Sequence, residues 1–490
     1  MTDIAVPQSF RRARAVLLLP IAFAGAALAA GPARAQQPAP GDTLRVSIQD
    51  AVARALGQGD EVRLAESRSD AANAQVGQAR STALPALRMN STFTHVYENA
   101  RAQAVGQIFN QPNTYNVNFN LSAPLFQGGR ISAGLRSARG LRGAAQADVE
   151  QARADVTLQV LRAYLDALFA DRLVTIQREN VALAEDRVRQ VEQLERAGRA
   201  SRYDVLRARV ERSNLEPAAI RAAGDRDLAL LELRRLANLP ASQPVRLVSP
   251  VSAEAVAALA QAAGAPTPTG DSAAVAAIPS VRAAELRASA SRAGVAIARA
   301  DYLPTLSAFV TSGFQAFPTD WRFPTSRGAL ETVTCPEGSA ADRVCTQQNG
   351  GWFTDRSLGL QVSWPVFDGF RTRSNVALAR AQAEVAQAQA AQAREAAAVQ
   401  LAQARSDLET ARAQFAATRL NVAEAEEAFR LATLRFARGL STQLDVSDAQ
   451  LALATARSNE ARATHELYLA AAGLARAQGR PIPLLSAAAP

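Results

Sequence analysis

Two stretches of about seventy residues, 128–196 and 369–438, contain no proline and are built mainly from Ala, Leu, Arg, Glu and Gln. All five are good helix formers. At 1.5 Å per residue, each stretch makes a rod on the order of 100 Å long. No compact domain accommodates such a rod. Ala recurring every three or four residues, as in 377-ALARAQAEVAQAQAAQAREAAAVQ-400, lets neighbouring helices approach closely while Arg, Gln and Glu face water. Only 5% of the 490 residues are aromatic, too few to fill a thick core. Gly198 and Gly439 suit the ends of the rods, because glycine tolerates the left-handed conformation that terminates helices. Shorter helices over 201–239 and 442–478 follow, the first expected to kink or split at Pro217.

The rods belong to an interrupted duplication. A shift of 219 residues superposes Val62, Arg63, Ala65, Glu66, Leu84 and Pro85 on Val281, Arg282, Ala284, Glu285, Leu303 and Pro304. A shift of 241 superposes Pro124, Phe126, Gly128 and Arg130 on Pro365, Phe367, Gly369 and Arg371, and Gly198, Asp204 and Val205 on Gly439, Asp445 and Val446. The difference places an insertion of 22 residues in the second copy, between Pro304 and Pro365. The expected organisation is a signal peptide over 1–35, a first repeat over 36–240, a linker or equatorial segment over 241–271, a second repeat over 272–480 and a C-terminal tail over 481–490.

Each copy opens with a helix and continues as strand, loop, strand, long helix, turn, helix. In 115-YNVNFNLSAP-124, apolar residues alternate with Asn and Ser; Leu358, Leu360, Val362 and Trp364 alternate with Gly359, Gln361 and Ser363. This is the period of a two-faced strand. Strands are expected near 87–97, 115–124, 305–315 and 356–365. Periodicity alone suits a half-buried strand of a soluble sheet as well as a lipid-facing barrel strand. The rods tip the balance: they cannot lie within a bilayer and must project from it, and four strands cannot close around an aqueous lumen. Several chains must then share one barrel.

Composition removes other classes. All 54 basic residues are Arg, so no lysine-dependent phosphate loop or Schiff base is available. Two His and two Cys exclude a Cys/His metal cluster. His95 and His465 have no nucleophile motif around them, and no cofactor site or enzyme constellation is legible. The net charge of +9 is interspersed with Glu and Asp at helical spacing, which reads as solvated helix faces, not a nucleic-acid surface. Arg11, Arg12 and Arg14 precede an apolar run and the small-residue site Ala33-Arg34-Ala35, a secretory signal with cleavage expected between Ala35 and Gln36. In an exported chain, Cys335 and Cys345 are expected to form a disulfide within the insertion.

These residues resemble the TolC family of outer-membrane channel proteins. The likeness rests on Leu84-Pro85 and Leu303-Pro304, on 124-PLFQGGR-130 and 365-PVFDGFR-371, and on 198-GRASRYDVLRAR-209 and 439-GLSTQLDVSDAQ-450. It implies a mixed α and β membrane protein: a homotrimer whose four strands per chain complete a twelve-stranded outer-membrane β-barrel, continued by a long periplasmic α-helical barrel of coiled-coil type. It implies an exit duct of a tripartite efflux or type I secretion system. The implied partners are a periplasmic adaptor, an inner-membrane pump or ATP-binding cassette transporter, and outer-membrane lipid.

The resemblance also assigns residues. Asp445 and Asp448, i and i+3 on one helix face, correspond to the acidic constriction at the periplasmic entrance. Six carboxylates ringed at an axis are expected to raise one another's pKa and to attract cations. Asp204, Phe436 and Ser441 fall where the family closes its gate, but Phe436 replaces an aromatic hydroxyl and Ser441 an Arg; Arg438 and Tyr203 are the nearest substitutes. Gly198-Arg199 and Gly439-Leu440 match adaptor-docking turns, and equally suit simple helix ends. Trp364 suits either an interfacial aromatic girdle or ordinary packing. The competing function is a non-pore structural coiled-coil or adaptor protein of the cell envelope.

Overall fold

The computed structural model describes residues 43–100, 111–240, 243–249, 251–265, 271–333 and 345–485. The expected signal peptide and its Ala35–Gln36 cleavage lie outside these residues. So does the Cys335–Cys345 pairing, since only the backbone of Cys345 is described.

In chain order the elements are β1 (Leu44–Val46), α1 (Ile48–Gln58), α2 (Asp60–Ser81), β2 (Ala86–His95), β3 (Asn113–Gln127), α3 (Arg130–Arg196) and α4 (Arg202–Leu236). There follow β4 (Val245–Leu247), α5 (Ala253–Ala263), α6 (Asp271–Ala277), α7 (Pro279–Arg299), β5 (Thr305–Ala316), β6 (Leu330–Val333), β7 (Cys345–Gln348), β8 (Trp352–Ser363), α8 (Arg371–Ala437) and α9 (Gln443–Ala477). The shift of 241 carries α3 onto α8, both 67 residues, and α4 onto α9, both 35, residue for residue. At 1.5 Å per residue the long pair spans about 100 Å.

Small side chains let the rods run close. On α8, Val376, Ala383, Ala390, Ala397 and Ala411 are buried at multiples of seven residues. That is the period of a left-handed supercoil. The long α3 packs along α2, α4 and α7, while α8 packs along α7 and α9; α9 also reaches α3. The principal core lies midway along the rods. There Val160, Leu161 and Tyr164 of α3 and Leu401 and Leu408 of α8 meet Leu233 of α4, Leu467 of α9, and residues of β1, α1 and α5. The segment read as a linker supplies β4 and α5 to this level, and β4 pairs in parallel with β1. The Tyr164 hydroxyl ties that pairing down, donating to Val46 O at 2.9 Å and accepting from Ser249 N at 3.1 Å.

Pro217 does not split α4. The proline ring is exposed, where water can solvate the carbonyl it leaves unpaired. Neighbouring ion pairs, Arg212 to Glu185 at 3.2 Å and Arg209 to Glu192 at 2.7 Å, hold α4 along α3.

The four main strands form one antiparallel sheet in the order β2-β3-β5-β8. Cross-strand register puts Leu87, Leu121, Val310 and Leu358 in one row and Met89, Phe119, Ser312 and Arg356 in the next. The opposite face carries Asn90, Asn118, Gly313 and Asp355 in a single row. The apolar face is bare: Leu87 is 67% exposed, Leu358 79% and Val362 68%. The outer edges of β2 and β8 have no partner strand among the described residues. The insertion of the second copy forms the β6–β7 hairpin and the segment leading to it.

The motif that leaves the sheet has a conformational reason. Gly128 and Gly129 take φ of 58° and 83°, and their counterparts Gly369 and Phe370 take 67° and 65°. A side chain at Gly128 would also meet Ala300 O at 2.6 Å.

Replacing Tyr164 with Phe should strand the Ser249 amide in the core, while the Val46 carbonyl keeps the Val248 amide as a donor. The expected loss is about 1–3 kcal/mol, within the range for buried groups left unsatisfied. It should register as a lower midpoint for thermal loss of helical circular dichroism.

Candidate functional site

The site lies at the ends of the rods farthest from the sheet, where α3 turns into α4 and α8 into α9. Both turns end their rods alike. Gly198 (φ 69°) donates to Glu195 O and Arg199 N to Leu194 O; Gly439 (φ 75°) donates to Phe436 O and Leu440 N to Arg435 O. This is the Schellman arrangement, in which a left-handed glycine satisfies the last free carbonyls.

The next helices begin alike as well. Ser201 caps α4 and Thr442 caps α9. The Ser201 hydroxyl donates to Asp204 Oδ2 at 2.7 Å, and the Thr442 hydroxyl to Asp445 Oδ2 at 3.0 Å. The backbone amides of Ser201 and Thr442 donate to the same oxygens at 3.0 and 2.8 Å. Asp204 and Asp445 are thus the third residues of reciprocal capping boxes. Within one protomer the cap acts on Asp445 in the opposite sense to the upward shift expected of a ring of carboxylates. The two bonds from Thr442, that of its amide foremost, stabilise the charged carboxylate and lower its pKa. Asp204 moves the same way, its largest cause being the Ser201 hydroxyl.

Asp448 lies one turn further along α9, exposed, beside a cavity of about 260 Å³ between α3, α4 and α9. The same cavity is lined by Asn180, Arg187, Glu211, Ser447 and Gln450. Asp445 is exposed near the tip and takes no part in it. Ser441 donates to Ala432 O at 3.4 Å, a bond back to the last turns of α8 in the same protomer.

Arg187 is the residue that sequence reasoning missed. It sits on α3 seven residues after buried Asn180 and is itself only 9% exposed. Its guanidinium lies over the Phe436 ring at 5.8 Å, so Phe436 offers a π face where a hydroxyl was expected to bond. Burial lowers the Arg187 pKa, and the charge of Glu211 opposes that shift. Glu211 accepts from the Ser447 hydroxyl at 2.9 Å and from Arg207 at 3.2 Å. Arg187 therefore touches α8 through Phe436 and feels the charge of Glu211 on α4 without bonding it, while Glu211 holds α9 through Ser447. About two to three helical turns further from the tip, Arg457 of α9 pairs with Glu179 of α3 at 3.1 Å and Glu426 of α8 at 2.9 Å. Arg438 and Tyr203 are exposed and make no side-chain hydrogen bond among the described residues. Nothing local in the sequence set Arg187 apart, because the positions seven and twenty-one residues before it are also polar, Asn180 and Asp166.

Comparison with known proteins decides the family. Residues 51–239 and 272–480 match the outer membrane efflux protein family, with one segment in each copy. The chain belongs to that family. Nodulation protein T of Rhizobium leguminosarum bv. trifolii is 24% identical over 416 residues, covering 85% of this chain and 81% of that protein. The CmeC outer membrane channel of Campylobacter jejuni superposes with a TM-score of 0.71 at 17% identity, over 88% of this chain and 85% of that one. A membrane protein from Pseudomonas aeruginosa gives 0.70 at 21% identity, over 88% and 90%. The fold is that of these solved outer-membrane proteins, and the family is one of outer membrane efflux proteins. No described helix is long and apolar enough to cross a membrane.

Because the pKa of Asp445 and Asp204 is lowered, the caps contribute fully above the ordinary carboxylate range. That contribution is lost as pH falls through the lowered folded values. Hydrogen-exchange protection of the first turns of α4 and α9 should decline on acidification, and Thr442→Ala should reduce it at neutral pH in α9 alone. Phe436→Leu should loosen the tip by on the order of 1 kcal/mol, the scale of a cation–π contact. It would be read as faster exchange at the α8–α9 turn.

Proposed function

We propose that this efflux-family channel is a passive exit duct built from three copies of the chain. The observation that carries the reading is the sheet: four strands, one bare apolar face, one polar face and two edges with no partner strand among the described residues, β8 being bridged only at Trp352. In a bilayer an open edge leaves backbone groups without partners, so a lipid-embedded sheet must close. The order β2-β3-β5-β8 leaves β8 free to pair antiparallel with a neighbour's β2, and three copies make twelve strands. Strands of about ten residues, apolar outward and polar inward, are the dimensions of an outer-membrane barrel. Apolar residues left bare on the helices, among them Ile220 and Leu228 of α4 and Leu420 of α8, support a helical barrel closed by the same neighbours.

In that assembly the α8–α9 tips bring Asp445 and Asp448 to the periplasmic mouth as an acidic gate. Charges about 6 Å apart in water repel by roughly 0.7 kcal/mol per pair. Asp445 enters this ring already held ionised by its cap. Arg187, Glu211 and Ser447, with Phe436 as the π face, form the closing tie within each protomer, in place of the family pattern lost at Phe436 and Ser441; Asp204 serves the equivalent cap of the first copy. The Gly198-Arg199 and Gly439-Leu440 turns are the docking points for a periplasmic adaptor. An inner-membrane pump or ATP-binding cassette transporter supplies the energy, and small molecules or polypeptides are the cargo.

The purified chain should run as a trimer and conduct ions across a planar bilayer; intact trimers without conductance would favour the non-pore envelope protein. Asp445→Ala combined with Asp448→Ala should weaken cation preference and block by multivalent cations. Unchanged selectivity and block would remove both residues from the gate.

A further inference from the structure

The insertion that distinguishes the second copy does more than lengthen a loop. After β5 the chain crosses back over the rim of the apolar sheet face. Trp321 stacks on His95 of β2 at 4.3 Å and meets Phe93 at 5.9 Å. Phe323 lies against Tyr115 of β3 at 5.5 Å and Trp352 of β8 at 5.7 Å. Two hydrogen bonds pin the crossing: Asn113 Nδ2 to Asp320 O and Trp352 Nε1 to Pro324 O, both 2.8 Å. Phe93, Tyr115 and Trp352 are in register with the apolar rows of the sheet, so residues 320–328 form a collar on the apolar side of the rim. Trp321 and Phe323 remain about two-thirds exposed despite these contacts, at 64% and 65%.

The collar is also basic. Arg322 is 91% exposed in its side chain and only loosely paired, at 3.7 Å, with Asp320. Arg327 is exposed and has no ion pair among the described residues. Below the collar, four residues along β8 from Trp352, stands Arg356. It is the one charged side chain in the strand rows of the apolar face, opposite Ser312 and next but one to Leu358. It is exposed, and it too lacks an ion pair among the described residues. Four residues along a tilted strand descend roughly 10 Å. An Arg at that depth lays its apolar stem along the sheet and turns its charge toward the nearest interface. The nearest rim is the collar.

We infer that Arg356, Arg327 and Arg322 together bind the phosphate groups of lipid in the outer leaflet, with acyl chains lying on the apolar rows and the aromatic collar at headgroup level. Guanidinium forks match phosphate oxygens, and Trp and Tyr favour this depth. The inference rests on the lipid-facing barrel proposed above. It adds a phosphate-binding site for that lipid and an anchoring role for the longer loop of the second copy.

The test is lipid retention by the detergent-extracted full chain, measured by native mass spectrometry, alongside conductance in planar bilayers. The probes are diphosphoryl lipid A, the same lipid stripped of phosphate, and inorganic phosphate as competitor. Wild type should retain diphosphoryl lipid A in the presence of millimolar inorganic phosphate and should retain the stripped lipid at least tenfold less. Arg322→Gln, Arg327→Gln and Arg356→Gln combined should lower retention of diphosphoryl lipid A at least tenfold while conductance is unchanged. Arg356→Gln alone should lower it severalfold, and carries the test if the triple variant fails to assemble. Equal retention by wild type and variants, equal retention of stripped lipid, or displacement by free phosphate would each overturn the inference while leaving a conducting barrel intact. A wild-type protein that does not conduct would instead overturn the barrel reading and this inference with it.

Discussion

Close approach of long helices through small side chains is the condition on which the rest of the structure depends. A rod near 100 Å has no globular core to lean on, so it is stable only if another helix lies against its whole length. The alanines of α8 at seven-residue spacing provide that contact, and α3 does the same with Val156, Ala163, Ala170, Ala184 and Val191. Side chains this small bury little apolar area each. The bulky anchors are gathered instead at mid-length, where β1, β4, α1 and α5 wrap the rods and Tyr164 closes the parallel pair. The rods are thus clamped in the middle and left slender toward both ends.

Slender ends suit what each end has to do. At one end the helices give way to a sheet through residues in the left-handed conformation, Gly128 and Gly129 in one copy and Gly369 and Phe370 in the other. At the other end, Schellman turns and capping boxes finish every helix with local hydrogen bonds. The tip therefore keeps its shape without a large core, and a few polar contacts across helices, Arg187 with Phe436 and Glu211 with Ser447, are enough to hold the bundle together. Contacts of that modest strength are also the kind that a docking partner can outbid.

The duplication explains why the two halves match so closely where they do. The 241-residue shift maps α3 and α4 onto α8 and α9 without an offset, because any insertion within a closely packed rod would rotate every later side chain off its seam. Insertion is tolerated beyond the rim of the sheet, where the chain has no register to keep. That is where the second copy carries the collar and the β6–β7 hairpin.

Much of this was legible in the residue order. Absence of proline over seventy residues announced the rods, alternation in 115-YNVNFNLSAP-124 announced a two-faced strand, and the repeat shifts located the insertion. These are local or periodic signals, and backbone geometry converts them directly into structure. The capping boxes of Ser201 with Asp204 and Thr442 with Asp445 are written in the sequence too, as a hydroxyl residue three positions before an Asp. Other features had no local signal. The three-residue strands β1 and β4 pair across two hundred residues and are too short to show a period. Pro217 continues a helix because its ring faces water and the ion pairs of Arg209 and Arg212 hold the preceding turns along α3. Arg187 is a surface residue by composition and a buried one by position, since four helices meet around it. Sequence by itself determined the elements, their lengths and their repetition, because those follow from propensity and period along one chain. Only the tertiary structure decided which charges are buried, which aromatic rings meet and which sheet face is left bare, because those depend on groups brought together from distant parts of the chain.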